Sequence, residues 1–199
     1  DMWDAVLEAG KKHNLMVIAP AHHRRIQAGI LSWGQDLDHE HNPFQCNLGY
    51  QVSLSGKGEW AKKGDYIGKQ ALEKMKADLK DGHKPYKLQL VGFEIGGKPI
   101  DEYAPDFWLV SPGDGGDPCG FITSPWYHPE KGKNIAMGYI PFDGTLNPNG
   151  FPKWELGKKF KVHLPDIYAD EPGVPVDAVT VDVPFTESFN ANTREVVKG

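Results

Sequence analysis

Two adjacent arginines, Arg24 and Arg25, precede Gly29, and a dense polar run of Asp36, Asp38, His39, Glu40 and His41 follows it. These residue types allow two chemistries. The carboxylates and imidazoles are metal ligands in principle. An arginine is a bidentate clamp for a carboxylate or a polar ring. The metal reading fails on spacing. A calcium loop counted from Asp36 needs Gly at its sixth position and Glu at its twelfth, and those places hold His41 and Asn47. His39 and His41 share one face of an extended segment, but a third ligand must then come from His22 or His23. No metal is therefore expected at 36–41, and the run reads as a polar surface turn. Adjacent helical residues point about 100° apart, so at most one of Arg24 and Arg25 faces inward beside Ile26 and Leu31.

Nucleophilic chemistry has little support. Cys46 and Cys119 are the only cysteines, they stand far apart, and no local motif couples either to a base. Cys46 precedes an apolar run and reads as a buried structural thiol. There is no Gly-x-Ser-x-Gly elbow, and "GKGEWAKKG" lacks the Gly-Lys-Ser/Thr ending of a phosphate loop.

The elements that carry these residues fall into two kinds. "DMWDAVLEAGKKHN" is a helix with acids early and bases late. It starts without a preceding loop, and this leads us to expect a chain cut from a longer protein, with an apolar face at Trp3, Val6 and Leu7 left uncovered. "LMVIAP" is a short strand or connector, and Pro20 then opens a helix that runs to about Ile30. Asn47 to Leu54 alternates like a strand, and Ser55 to Asp65 is a Gly- and Lys-rich loop. Ile67, Ala71, Leu72, Met75 and Leu79 form the stripe of a further helix that ends at Gly82. From Lys84 onward six β-prone runs alternate with turn clusters such as "SPGDGGDP" and "NPNGFP". They are "KLQLVGFEI", "DFWLV", "CGFITS", "NIAMGYI", "KFKVHL" and "VDAVTVDVPF". The expected fold class is α+β, a helical part (1–83) followed by a small closed antiparallel barrel (84–199).

Composition narrows the partners. A chain of 199 residues with 39% hydrophobic residues can bury a core, and a net charge of −5 argues against nucleic acid or an anionic membrane as partner. No apolar run is long enough to span a bilayer. Two isolated cysteines fit a reduced, cytoplasmic setting.

Five segments in order then carry a resemblance: "RRIQAGILSWGQDLDHEHNPFQCNLGYQVSL", "KGDYIGKQAL", "KLQLVGFEI", "GFITSPWYHPEKGKNIAMGYIP" and the closing "VDVPF". Together they resemble the C-terminal half of the aminomethyltransferase family, which holds the glycine-cleavage T-protein and tetrahydrofolate-dependent demethylases. The resemblance implies the helical end of a second folate-binding domain at 1–83 and a C-terminal barrel at 84–199. It implies tetrahydrofolate as cofactor, a small methylated substrate, and a partner in the N-terminal half of the same protein, where the catalytic acidic residue is expected. It assigns ligand contact to Arg25, in the place of the family's arginine, while Arg24 faces solvent. Trp33 fills the place of the family's Tyr before Gly34. Trp126 and Tyr127 stand where the T-protein has small residues, and Phe189 stands near the T-protein's tail tyrosine, so these are candidate ligand contacts as well. Gln27 and Gln45 replace family glutamates. "NPFQ" is similar to the demethylase branch, so the implied activity is transfer of a methyl group to tetrahydrofolate. The alternatives are a T-protein aminomethyltransferase, the folate domain of a flavin-linked dimethylglycine or sarcosine dehydrogenase, and a non-catalytic interaction module.

Overall fold

The computed structural model describes residues 1–17, 21–54 and 64–185. Among these, three α-helices precede six strands: α1 (Met2–Gly10), α2 (His22–Gln27), α3 (Lys69–Lys80), then β1 (Leu88–Ile95), β2 (Trp108–Pro112), β3 (Gly120–His128), β4 (Lys133–Pro141), β5 (Lys159–Val162) and β6 (Val176–Val181). The strands close into an antiparallel barrel in the order β1-β4-β3-β2-β5-β6, with β6 returning to β1. All six expected strands are present, and the α+β class holds. Closure removes both sheet edges, so none of the six needs a protective charge or proline along its ladder.

The barrel fills itself by strand alternation. On β1, Val91, Phe93 and Ile95 enter the interior cluster, while Leu88 and Leu90 belong to a second cluster on the outer face. On β4 the same period of two sends Ala136 and Ile140 inward and Ile135, Met137 and Tyr139 outward. Seven consecutive β4 residues, Asn134 to Ile140, are buried. A strand buried on both faces needs a cover, and Ile26 of α2, Leu31 and Phe185 supply it. A third cluster packs Leu79 of α3, with Leu72 and Met75 beside it, on Phe44 and Phe142.

Three expectations of local structure need correction. Asn47 to Leu54 is not a strand. Asn47 takes φ 61° and a 3₁₀ turn follows at Gly49–Gln51, so the alternation breaks at its first residue. Ile67 lies ahead of α3 and is fully exposed rather than part of its apolar stripe. Helix α2 spans only His22–Gln27; Pro20, most of the Ser55–Asp65 loop and Phe189 lie outside the described residues. The opening helix starts as expected, with a reciprocal cap between Asp1 and Asp4, but ends at Gly10 and passes into a 3₁₀ turn at Lys11–His13. None of its side chains is buried, and Met2, Trp3 and Val6 are exposed with Leu7 half-buried.

Candidate functional site

Helix α2 ends in a Schellman turn. The Gly29 N–H donates to the Ile26 carbonyl and the Ile30 N–H to the Arg25 carbonyl, with Gly29 at φ 67°. A Cβ at Gly29 would also strike the Val183 side chain. The turn folds the chain back, so that the segment after Gly29 passes the guanidinium of Arg25.

That guanidinium is fully engaged. Nε–H donates to His22 Nδ1 (3.3 Å), Nη1 to Asp36 Oδ2 (2.8 Å) and the Ile30 carbonyl (3.2 Å), and Nη2 to Gln35 Oε1 and Ser124 Oγ (both 2.8 Å). These bonds use all five of its N–H donors. Arg24, one position earlier, is exposed.

The partner of Arg25 comes from the polar run itself, and this corrects the reading of that run as a surface turn. The Asp36 side chain is completely buried, and the Arg25 side chain is 17% exposed. Besides Arg25, the Asp36 carboxylate accepts from the Ser32 N–H (2.8 Å) and from the Thr123 and Ser124 hydroxyls (both 2.5 Å). The Tyr139 hydroxyl donates to the Asp36 carbonyl (2.6 Å) and touches Cys46 Sγ (3.4 Å). Burial of one charge is tolerated here because every lone pair finds a donor and the opposite charge lies in contact. Asp38, by contrast, stays at the surface; the Glu40 N–H and the His41 ring hold its carboxyl below the usual range.

Thr123 and Ser124 are neighbours on one strand, and their side chains should point to opposite faces. They do not, because the β3–β4 register shifts between Ile122 and Ser124. This bulge aims both hydroxyls at Asp36. Burial drives the Tyr139 hydroxyl well above its ordinary value and raises the Cys46 thiol, so both stay protonated and act as hydrogen-bonding groups.

The structure brings Trp126 to this constellation through His22. The His22 ring stacks on Trp126 (centroids 5.9 Å apart, planes at 14°) and packs on Tyr103 at 4.9 Å. Tyr127 follows Trp126 on β3, so alternation turns its side chain to the opposite face; its backbone N–H donates to the Ile100 carbonyl. Trp33 is 62% exposed and meets the edge of His39 at 5.0 Å. Sequence reasoning missed His22, Gln35, Asp36, Thr123 and Ser124. The one available signal was an acid that a Gly turn returns to the arginine. Among the described residues, no group of three or more His, Cys, Asp or Glu is placed to hold a metal ion. Cys46 and Cys119 are free thiols.

A cavity of about 300 Å³ opens beside Gly29, bordered by Leu31, Cys46, Met137, Trp154 and Val183. Asn47 also lines it, but its amide is already bonded to Gln89 and to the Leu90 carbonyl.

The chain is 31% identical over 144 residues to the aminomethyltransferase of Symbiobacterium thermophilum, covering 70% of this chain and 33% of that protein. It is 28% identical over 145 residues to the aminomethyltransferase of Halothermothrix orenii, covering 72% and 36%. Its match to the dimethylsulfoniopropionate demethylase DmdA of Ruegeria pomeroyi is 29% over 166 residues, covering 83% and 38%. Among solved structures, the glycine cleavage system aminomethyltransferase T of Bartonella henselae aligns with a TM-score of 0.56 at 20% identity, over 82% of this chain and 37% of that one. The chain is a relative of the aminomethyltransferases. No family model matches it. The chain spans about a third of the length of the curated relatives it matches. The barrel resembles the C-terminal domain of that family, and a relative named for demethylation stands beside those named for aminomethyl transfer.

Proposed function

We propose that this chain is part of a tetrahydrofolate-dependent methyltransferase that moves a methyl group from a small methylated substrate to tetrahydrofolate. The observation that carries the demethylase direction is the extent of the DmdA match, 83% of the chain against 70% and 72% for the two aminomethyltransferases above. In this reading residues 1–83 end a folate-binding domain and 84–199 are the C-terminal barrel domain, in a cytoplasmic enzyme.

The chemistry supplied by bound tetrahydrofolate is a nucleophilic nitrogen that accepts the one-carbon group. The residues present fit the apolar part of such a molecule. The cavity beside Gly29 offers Leu31, Met137, Trp154 and Val183 as walls. Its polar neighbours are already committed: the Asn47 amide to Gln89 and Leu90, and the Cys46 thiol to Tyr139. Asp36 is equally committed, so no proton transfer is assigned to this chain. Arg25 is proposed to hold the ligand-facing surface in shape through its five bonds, with Trp33, Trp126, Tyr127 and Phe189 as candidate contacts. Positioning of this kind contributes to rate by fixing reactants in line.

The uncovered apolar face of α1, with Met2, Trp3 and Val6, supports an N-terminal half of the same protein as the docking partner. The test is transfer itself. With that half present, tetrahydrofolate and dimethylsulfoniopropionate or another methylated onium compound should give 5-methyltetrahydrofolate. Methylene transfer from an aminomethyl-lipoyl carrier instead would move the assignment to the aminomethyl branch. Neither product, with a folded protein that binds no reduced folate, would overturn the reading.

A further inference from the structure

The His22 ring is not explained by the ion pair it borders. An arginine Nε–H is a donor at every accessible pH, so the 3.3 Å contact to His22 Nδ1 requires a lone pair on that nitrogen. The neutral ring must then carry its proton on Nε2. Among the described residues no hydrogen bond engages that Nε2–H. The rings around it form an open wall: Trp126 is half-buried under the imidazole, and Tyr103 is 53% exposed beside it. The helix that carries the ring is basic. His22–Arg25 holds only basic side chains ahead of Ile26, and exposed Arg24 has no ion pair among the described residues. Asp36, the acid whose charge acts on the ring, is spent on Arg25.

We propose that Tyr103, His22 and Trp126 form a subsite for a flat, carboxylate-bearing group, which lies against the aromatic rings and accepts a hydrogen bond from the His22 Nε2–H. Carboxylate is the class favoured because the donor stands on a helix whose first four side chains are His and Arg, and the bond gains strength from an ionised acceptor. The charges of Arg25, on its own helix, and Asp36, from the following turn, act on the ring, and Tyr103 packs on it from the β1–β2 connection, where exposed Asp101 and Glu102 precede it. Burial and then Arg25 lower the His22 value, while Asp36 raises it in part. A bound carboxylate should therefore raise it again.

The test uses the 199-residue chain and two probes of equal ring size, benzoate and benzylamine. Imidazole nitrogen NMR should report the Nε2–H tautomer of His22. Benzoate should shift His22 and the Trp126 indole and raise the His22 titration midpoint, and benzylamine should do neither. His22→Asn keeps an acceptor for Arg25 but removes the outer donor, so it should weaken benzoate about tenfold with thermal stability unchanged. His22→Gln keeps a donor near the Nε2 position and should retain more of the binding. An Nδ1–H tautomer, no response to benzoate, an equal response to benzylamine, or undiminished benzoate binding by His22→Asn would each overturn the proposal. If benzoate binds as expected and a reduced folate does not, the subsite stands and the folate reading falls.

Discussion

Replacing Asp36 by Asn removes one negative charge from a side chain that is completely buried. Four donors converge on the carboxylate: the Arg25 guanidinium, the Ser32 N–H and the Thr123 and Ser124 hydroxyls. The amide that replaces it presents one acceptor and, on the other side, two donors facing donors. Breaking a buried ion pair costs about 3–5 kcal/mol, because the remaining charge stays buried and unpaired. Arg25 keeps 17% of its side chain exposed, so water takes up a part of that penalty. The expected loss is therefore near the lower end, about 3 kcal/mol. For a chain of this length that corresponds to a fall in Tm of about 6–12 °C.

The assay is thermal and urea unfolding of wild type, Asp36→Asn, Arg25→Met and the double variant Arg25→Met/Asp36→Asn. Each single change strands a charge or its polar partners, and the double change removes both charges together. The double variant should lose less than the sum of the two singles, by about 2 kcal/mol. Asp36→Asn within about 2 °C of wild type, or additive losses, would refute the account of Arg25 and Asp36 as one buried clasp.

Arg25→Lys keeps the charge but not the planar fork, and should cost about 1–3 kcal/mol, whereas Arg24→Lys should leave the unfolding midpoint unchanged; equal effects would show that the wrong arginine has been placed inside. Tyr139→Phe loses the bond to the Asp36 carbonyl and the contact with Cys46, a loss of about 1–2 kcal/mol by urea unfolding. Burial lowers both His22 and His128, so the unfolded chain takes up protons first; stability is full above the ordinary imidazole value of about 6.5 and is lost as pH falls below it. Urea midpoints at neutral and mildly acidic pH should show this fall, with His128→Gln flattening it, and a flat wild-type profile would contradict it. Gly29→Ala places a side chain at φ 67° against Val183, and should lower Tm more than the change Ala28→Ser beside it.

The barrel was legible because each strand has turn-forming clusters at its ends, and alternation inside them matches burial. Phe93 and Phe160 face the interior and Leu90 the outer cluster, as a period of two requires. The segment from Asn47 failed for the opposite reason. Its residues alternate in type, but the chain is spent on a left-handed Asn47 and a tight turn, and neighbouring strands give it no ladder. The site was half legible. Arg25 could be separated from Arg24 by helical geometry and by resemblance. Asp36 could not be separated from Asp38 or Glu40, because what makes one acid of a polar run a buried acid lies about ninety residues away. The bulge at Ile122–Ser124 turns two consecutive hydroxyls to one side, and nothing in "GFITSP" announces it. The same blindness hid His22, whose tautomer is set by an Nε–H three residues on and whose stacking partner is on β3. The polar run that first resembled a metal loop is thus better understood as the return path of α2: it carries one carboxylate into the barrel wall, where the arginine before the glycine is waiting for it.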